Sequence, residues 1–311
     1  MSILDVKDLK KSFGKNHAVR GISFMVAPGE IFGILGPNGA GKSTTLSLIA
    51  GLLRPDGGRV LIGDYDLHLE PQNAKKMIGI VPQEPALYPM LSAEENLRFW
   101  GTINGLRPGD LANSVKRVLD IVGLSTRARD RVNTFSGGMK RRLNIAAGLI
   151  HQPRLLIMDE PTVGIDPQSR NHILETVANL RDNDMSIVYT SHYVEEVEHL
   201  CDRVAIMDHG HLIKEGTLTD LLSHGHRHQT LHLHLHGSSK TLQDLIAQLP
   251  GVEQVLTENG HMRINAVEAE PIMPNVLQLV KQSGASISNI RLEKPNLESL
   301  FLQLTGRGLR D

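Results

Sequence analysis

Along the first 26 residues apolar positions alternate or cluster in short segments: Ile3, Val6 and Leu9, then Ala18, Val19, Ile22, Phe24 and Val26, parted by the turn Gly14-Lys15-Asn16. Period-two patterning broken by a turn predicts antiparallel strands. The unbroken run Ile31-Phe32-Gly33-Ile34-Leu35 predicts a buried strand, and the pattern over 44–50 continues as a helix. Turn residues at Gly51 and at Pro55-Asp56-Gly57-Gly58 precede another short strand over 59–63. Ile78-Gly79-Ile80-Val81 reads as a buried strand that ends at Pro82-Gln83-Glu84-Pro85, so Gln83 projects from a strand end into a proline-bounded loop. Ser92-Ala93-Glu94-Glu95 matches a capping box, and a helix follows to Ile103, ended by Gly105. Leu111, Val115, Val118, Leu119 and Val122 then recur at helical spacing up to Gly123. Residues 86–150 thus read as a helical insertion. Leu155-Leu156-Ile157-Met158 and the β-branched run over 186–190 have the form of further strands.

Past residue 220 the pattern changes. His224-Gly225-His226-Arg227-His228 reads as a linker, which divides the chain into domains 1–225 and 226–311. Strand 231–235, helix 241–249, strand 252–257, the hairpin signal Asn259-Gly260, strand 261–266, helix 272–282 and strand 286–292 follow. That order, β-α-β-β-α-β, predicts a small ferredoxin-like α+β unit.

Composition narrows the class. With 311 residues, 40% hydrophobic and 22% charged, the chain can bury substantial cores and is not disordered. A formal net charge of -1 gives no global attraction to nucleic acid or anionic lipid, so no nucleic-acid partner is expected. Cys201 is the only cysteine, which excludes an internal disulfide. No apolar run approaches bilayer length, and Met1-Ser2-Ile3-Leu4-Asp5 lacks the features of a signal peptide. The expectation is a cytoplasmic protein without direct membrane insertion, reaching a membrane only through a partner.

The chemistry concentrates at strand ends. Gly36-Pro37-Asn38-Gly39-Ala40-Gly41-Lys42-Ser43-Thr44 fits G-x-x-x-x-G-K-[ST] between a strand and a helix, the setting of a phosphate-binding loop. Its backbone N–H groups and the helix N-terminus would hold an anion. Lys42 would reach the β- and γ-phosphates and Ser43 would hold Mg²⁺. Asp159 and Glu160 end a buried strand, where Asp159 can hold Mg²⁺ through its water shell and Glu160 can polarise a water for in-line attack. Acidic residues at strand ends are also common helix caps. Ser136-Gly137-Gly138 opens a helix over 143–150 and forms a second anion site; alone it would be an ordinary turn, and Lys140-Arg141-Arg142 a solvated helix face. Gly164-Ile165-Asp166-Pro167 is a tight turn, and Ser191-His192 ends the last of these strands. Phe13 ends the first strand, where it either stacks on a base or joins the core.

Taken together, these motifs make the chain resemble the ATP-binding cassette ATPases of ABC transporters. The resemblance covers residues 2 to about 220 and rests on the phosphate loop, the Q-loop Gln83, the signature Ser136-Gly137-Gly138, Asp159-Glu160, the D-loop with Asp166 and the switch His192. It implies an α/β P-loop ATPase core with an antiparallel β subdomain and a helical subdomain. Two such domains would sandwich two ATP, each held by the phosphate loop of one and the signature of the other. By the family pattern Gln83 senses Mg²⁺ and the attacking water and links to the membrane partner, Asp166 communicates across the dimer, His192 contacts the γ-phosphate and Phe13 stacks on adenine. The family more often has Tyr at the Phe13 position and Leu-Ser-Gly-Gly-Gln where this chain has Phe-Ser-Gly-Gly-Met. The tail from Leu292 to Gly306 resembles that of ABC-2-type exporter ATPases, including drug and antibiotic efflux systems. The implied assembly is a homodimer, or half of a heterodimer, on an integral membrane ABC-2-type permease. An importer ATPase and a soluble ABC ATPase acting on a macromolecular assembly are the alternatives.

Nine of the 15 histidines lie between His199 and His236. His232, His234 and His236 alternate with leucines and share one strand face, either as a polar outer surface or as a metal or pH-sensing site.

Overall fold

The computed structural model describes residues 2–181, 185–225, 229–237, 240–258, 260–293 and 296–305. The chain divides into two compact units, one ending at Thr217 and one starting at Leu218. The first holds β1 (Leu4–Phe13), β2 (Asn16–Val26), β3 (Ile31–Leu35), α1 (Lys42–Ile49), β4 (Gly57–Ile62), β5 (Tyr65–Asp66), α2 (Pro71–Lys76) and β6 (Ile78–Val81). Then come α3 (Ala93–Ile103), α4 (Pro108–Ile121), two single 3₁₀ turns, α5 (Gly137–Leu149), β7 (Leu155–Asp159), α6 (Pro167–Arg181), β8 (Ser186–Ser191), α7 (Val194–Leu200), β9 (Arg203–Asp208) and β10 (His211–Thr217).

Two sheets carry this unit. An antiparallel sheet has the order β2-β1-β4-β5, and a six-stranded sheet has the order β10-β9-β3-β8-β7-β6. In the larger sheet β3 lies parallel to both β8 and β9, and β7 parallel to β8 and β6. Every residue of β3 and β8 is buried, which explains the unbroken apolar run of β3 and the β-branched run of β8. The core draws Leu4, Val6 and Phe24 from the first sheet, Phe32, Ile34, Ile157 and Val188 from the second, and Leu48 and Ile49 from α1. The Phe24 and Phe32 rings stack at 5.0 Å between centroids. Register then decides where chemistry can occur. Leu35 pairs with Ser191, Asp159 with Thr190 and Val81 with Met158, so β3, β6, β7 and β8 all end at one edge of the sheet. The segments that follow, with the phosphate loop, Gln83, Glu160 and His192, leave from that edge.

Helices begin earlier than apolar spacing alone indicates. Helix α1 starts at Lys42, and α5 starts at Gly137 because the Ser136 hydroxyl accepts the Met139 N–H and caps the turn despite two glycines. The run Lys140-Arg141-Arg142 is not a solvated face. Arg141 is 4% exposed and donates to the Pro82 carbonyl at 2.9 Å, while Arg142 donates to the Val122 carbonyl at 2.9 Å.

The second unit contains α8 (Leu218–Gly225), β11 (Gln229–His236), α9 (Lys240–Ala247), β12 (Val252–Glu258), β13 (His261–Ala266), α10 (Ala269–Gln282), β14 (Ser286–Glu293) and α11 (Leu297–Thr305). Its antiparallel sheet has the order β12-β13-β11-β14, the arrangement of a ferredoxin-like unit. Leu231, Leu233 and Leu235 pack with Ile246 of α9 and Val276 of α10. The sequence boundary fell after residue 225; the structure groups the 218–225 helix with the second unit, where α8 packs against α11. His226, His228 and Asn259 lie outside the described residues.

The histidines of β11 face away from the leucines. His232 Nε2 lies 2.8 Å from Glu293 Oε2, its Nδ1 lies 3.3 Å from His261 Nε2, and His234 stacks on His261 at 4.5 Å. Among the described residues no group of three or more His, Cys, Asp or Glu side chains is arranged to hold a metal ion. Nor is any described helix long and apolar enough to cross a membrane.

His151 gives this fold a pH dependence. Its Nε2 lies 2.9 Å from the Ile78 carbonyl, which can only accept, so Nε2 carries the proton, and the buried Nδ1 has no partner among the described residues. Burial, opposed by that hydrogen bond, lowers the pKa of the ring below its ordinary value. Its contribution is fully present above about pH 6.5 and is lost as the pH falls from there toward the depressed folded-state value. The midpoint of urea unfolding, measured from pH 7.5 to 5.5, should fall less steeply in His151→Gln than in the unaltered chain.

Candidate active site

The loop between β3 and α1 folds around its own lysine. Lys42 is 5% exposed, and its ammonium donates to the carbonyls of Gly36 at 2.7 Å and Pro37 at 3.1 Å. Its third partner is Glu160 Oε1 at 3.1 Å. Gly41 enters the helix at φ 105°, and a Cβ there would stand 2.4 Å from the Ala18 carbonyl oxygen, so only glycine lets the loop approach β2 this closely. Ala40 is buried, and its carbonyl accepts the Gly210 N–H at 2.9 Å.

A cavity of about 340 Å³ opens beside the loop. Of the residues expected from sequence it gathers Phe13, Asn38, Gly39, Gly41, Lys42, Ser43, Thr44, Gln83 and Glu160. His17 and Arg20 of β2 also line it and carried no sequence signal beyond their polarity. Phe13 is 49% exposed at this cavity, which decides its two readings against the core.

Glu160 is held from several sides. It is 6% exposed, with Oε1 against Lys42 and Oε2 3.2 Å from His192 Nδ1. Its backbone sits at φ 42°, a left-handed conformation unusual for a residue with a side chain and common where a functional group must be aimed. The Glu160 N–H donates to Thr190 Oγ1 at 3.0 Å, and that hydroxyl donates to Asp159 Oδ1 at 2.8 Å. Thr190 therefore ties the Glu160 backbone to the Asp159 carboxylate at the end of β7. As one β-branched residue in a β-branched strand, it carried no sequence signal.

Ser136, Gly137, Gly138 and Asp166 form a separate group and do not line this cavity. A Cβ on Gly138 would lie 2.1 Å from Ser169 Oγ, so the start of α5 packs directly on the start of α6. Asp166 Oδ1 accepts the Ser169 N–H at 2.9 Å, and this bond, foremost among several, lowers the pKa of its carboxyl. The Gln83 loop is fastened to α5 as well. Its Pro82 carbonyl accepts from Arg141 at 2.9 Å and from Asn144 at 3.2 Å, and Asn144 Oδ1 accepts the Ala86 N–H at 3.1 Å.

The chain as a whole has relatives among known proteins. The family model described as ABC transporter matches residues 19–163. The linearmycin resistance ATP-binding protein LnrL of Bacillus subtilis (strain 168) is 49% identical, the match covering 99% of this chain and 100% of that one. The chain belongs to the ABC transporter family. Another full-length relative, the Nod factor export ATP-binding protein I of Rhizobium etli, is 34% identical over 99% of this chain and 94% of its own. A solved structure of an ATP-binding subunit of an ABC transporter superposes with a TM-score of 0.65 at 31% identity, covering 72% of this chain and 93% of that one. As a member of this family the chain is an ABC ATPase that binds and hydrolyses ATP.

Thr190→Val tests the tie between the Glu160 backbone and the Asp159 carboxylate. It keeps the shape but leaves the buried Glu160 N–H without its acceptor, and we expect a loss of about 1–3 kcal/mol in urea unfolding. Thr190→Ser should recover most of it.

Proposed function

We propose that this chain is the ATP-hydrolysing subunit of an ABC-2-type exporter, working as one half of a two-ATP clamp on a separate membrane permease. The observation that carries the reading is Glu160, buried and aimed by Lys42 and His192 at the mouth of the phosphate loop. When the β- and γ-phosphates enter the loop, Lys42 exchanges its contact with Glu160 for phosphate oxygens. The freed Glu160 oxygen then accepts a proton from the attacking water, while His192 keeps the other oxygen in place. Phe13 offers an exposed face to adenine, and the loop N–H groups hold the phosphates.

Ser43, Gln83 and Asp159 offer hydroxyl, amide and carboxylate oxygens, the donor set that Mg²⁺ prefers. Ser43 and Gln83 line the cavity, and Asp159 is positioned beside it through Thr190. Bound there, Mg²⁺ would neutralise developing charge on the phosphates.

The site as built lacks a wall. Ser136, Gly137, Gly138 and Asp166 stand apart from the cavity, so a second subunit, in our reading an identical one, supplies them from outside. For the permease, a mainly apolar groove of about 270 Å³ runs beside the Gln83 loop, lined by Leu52, Ile80, Pro82, Trp100, Ala147 and His151. Leu52 on its wall is 64% exposed, an apolar surface for a permease segment at the cytoplasmic membrane face. The 49% identical relative named for linearmycin resistance supports efflux of a drug or antibiotic as the cargo class.

Glu160→Gln should keep ATP affinity, lower phosphate release at least about 100-fold and accumulate a closed dimer on size exclusion with ATP and Mg²⁺. Phosphate release at the unaltered rate would overturn the assignment of Glu160 as base.

A further inference from the structure

Glu196 of α7 was not singled out by any sequence motif, yet it is 0% exposed and its carboxylate accepts from four groups. Oε1 takes the Thr162 hydroxyl at 2.7 Å and Arg170 Nε at 2.7 Å. Oε2 takes the Tyr189 phenol at 2.9 Å and the Ser191 hydroxyl at 2.9 Å. Burial, and then the Glu196 charge, push the Tyr189 phenol well above its ordinary value, so it remains a donor. Arg170 also lies over the Tyr193 ring at 4.7 Å, and Ser191 Oγ accepts the Tyr193 N–H at 2.9 Å.

The positions of these partners matter more than their number. Thr162 comes two residues after Glu160, and Ser191 comes immediately before His192. One rigid, planar carboxylate thus ties the chain leaving the general base on one oxygen and the chain entering the switch histidine on the other. Glu160 needs such support, since its left-handed φ of 42° persists only where the surroundings hold it on both sides. Thr190 holds the entering side, and Thr162 on Glu196 holds the leaving side. A buried carboxylate is costly unless its partners satisfy it, and an apolar side chain would fill the same space without that cost. Only an ionised carboxylate accepts four converging donors at once.

We infer that Glu196 is a positioning residue for ATP hydrolysis, which sets Glu160 against His192 by tethering Thr162 and Ser191 to one group. The inference rests on the reading of Glu160 and His192 as the hydrolytic pair. Glu196→Gln keeps the shape but replaces one acceptor oxygen with a donating amide, so the donors on that side lose their acceptor, and Arg170 is left facing the exposed Glu195 at 4.0 Å. Misplacement of a catalytic group by about 1 Å costs on the order of 100-fold in rate.

The test measures phosphate release by the purified full chain, with ATP affinity and melting temperature recorded for each variant. Glu196→Gln should lower kcat about 10- to 100-fold while ATP affinity stays within about threefold. In a His192→Ala background the same change should lower kcat by less than about threefold, because the position it controls no longer matters. Equal losses in both backgrounds, a kcat within about twofold of the unaltered chain, or a loss that only follows the folded fraction would each overturn the inference. If Glu196→Gln does not fold, Thr162→Val and Ser191→Ala cut the two tethers singly, and each is held to the same criteria. If His192→Ala and Glu160→Gln themselves hydrolyse ATP normally, the hydrolytic pair is wrong. If those two lose activity and Glu196→Gln does not, only the role of Glu196 falls.

Discussion

An ammonium and a carboxylate 3.1 Å apart, both almost without solvent, sit where the phosphate loop meets the end of β7. Removing one partner of such a pair strands the other charge in a poorly solvated site, a loss of several kcal/mol, whereas the intact pair adds little net stability. Its value is therefore positional. Lys42 reaches Glu160 only because β3, β7 and β8 share a parallel register that ends them together, and because the loop can press against β2 at Gly41. The pair also suggests how the proposed ligand would be felt: an arriving polyphosphate would compete for Lys42, and Glu160 would change partners as a result.

Much of this was legible in the residue order. The motif at 36–44 states its chemistry locally, because strand, glycines, lysine and helix are contiguous. The element order of the second unit was legible too, since alternation and the hairpin signal are short-range features. What the sequence did not show was the set of side chains whose partners lie far along the chain. Thr190 reads as one more strand former until register places it beside Asp159. Arg141 reads as a surface charge until α5 packs on the strand edge and Pro82 claims its guanidinium. Glu196 sits in an acidic helix, between Glu195 and Glu198, and nothing local separates it from those neighbours. The unit boundary was misplaced for a related reason, because a histidine-rich stretch resembles a linker whether or not the helix before it has already joined the next core.

In the second unit the imidazoles side by side on a strand face meet one another and a carboxylate. Alternation puts His232 and His234 on one face, but their rings stack on His261 and one of them meets Glu293 instead of converging on a point. Burial, followed by the neighbouring His234 and His232, lowers the pKa of His261.

The hold of Arg141 and Asn144 on the Pro82 carbonyl has a mechanical side. Helix α5 has 13 residues, a rod of about 20 Å, with the Ser136-Gly137-Gly138 segment at one end and the Gln83 loop fastened a turn or two along it. A load applied to that loop is transmitted along the rod to the tip. In the proposed clamp of two such chains each tip would close over the other chain's nucleotide, so the loop beside one ATP would steer the lid of its neighbour's. The two sites would then be cross-geared, and a fault in one loop would be felt first at the opposite site.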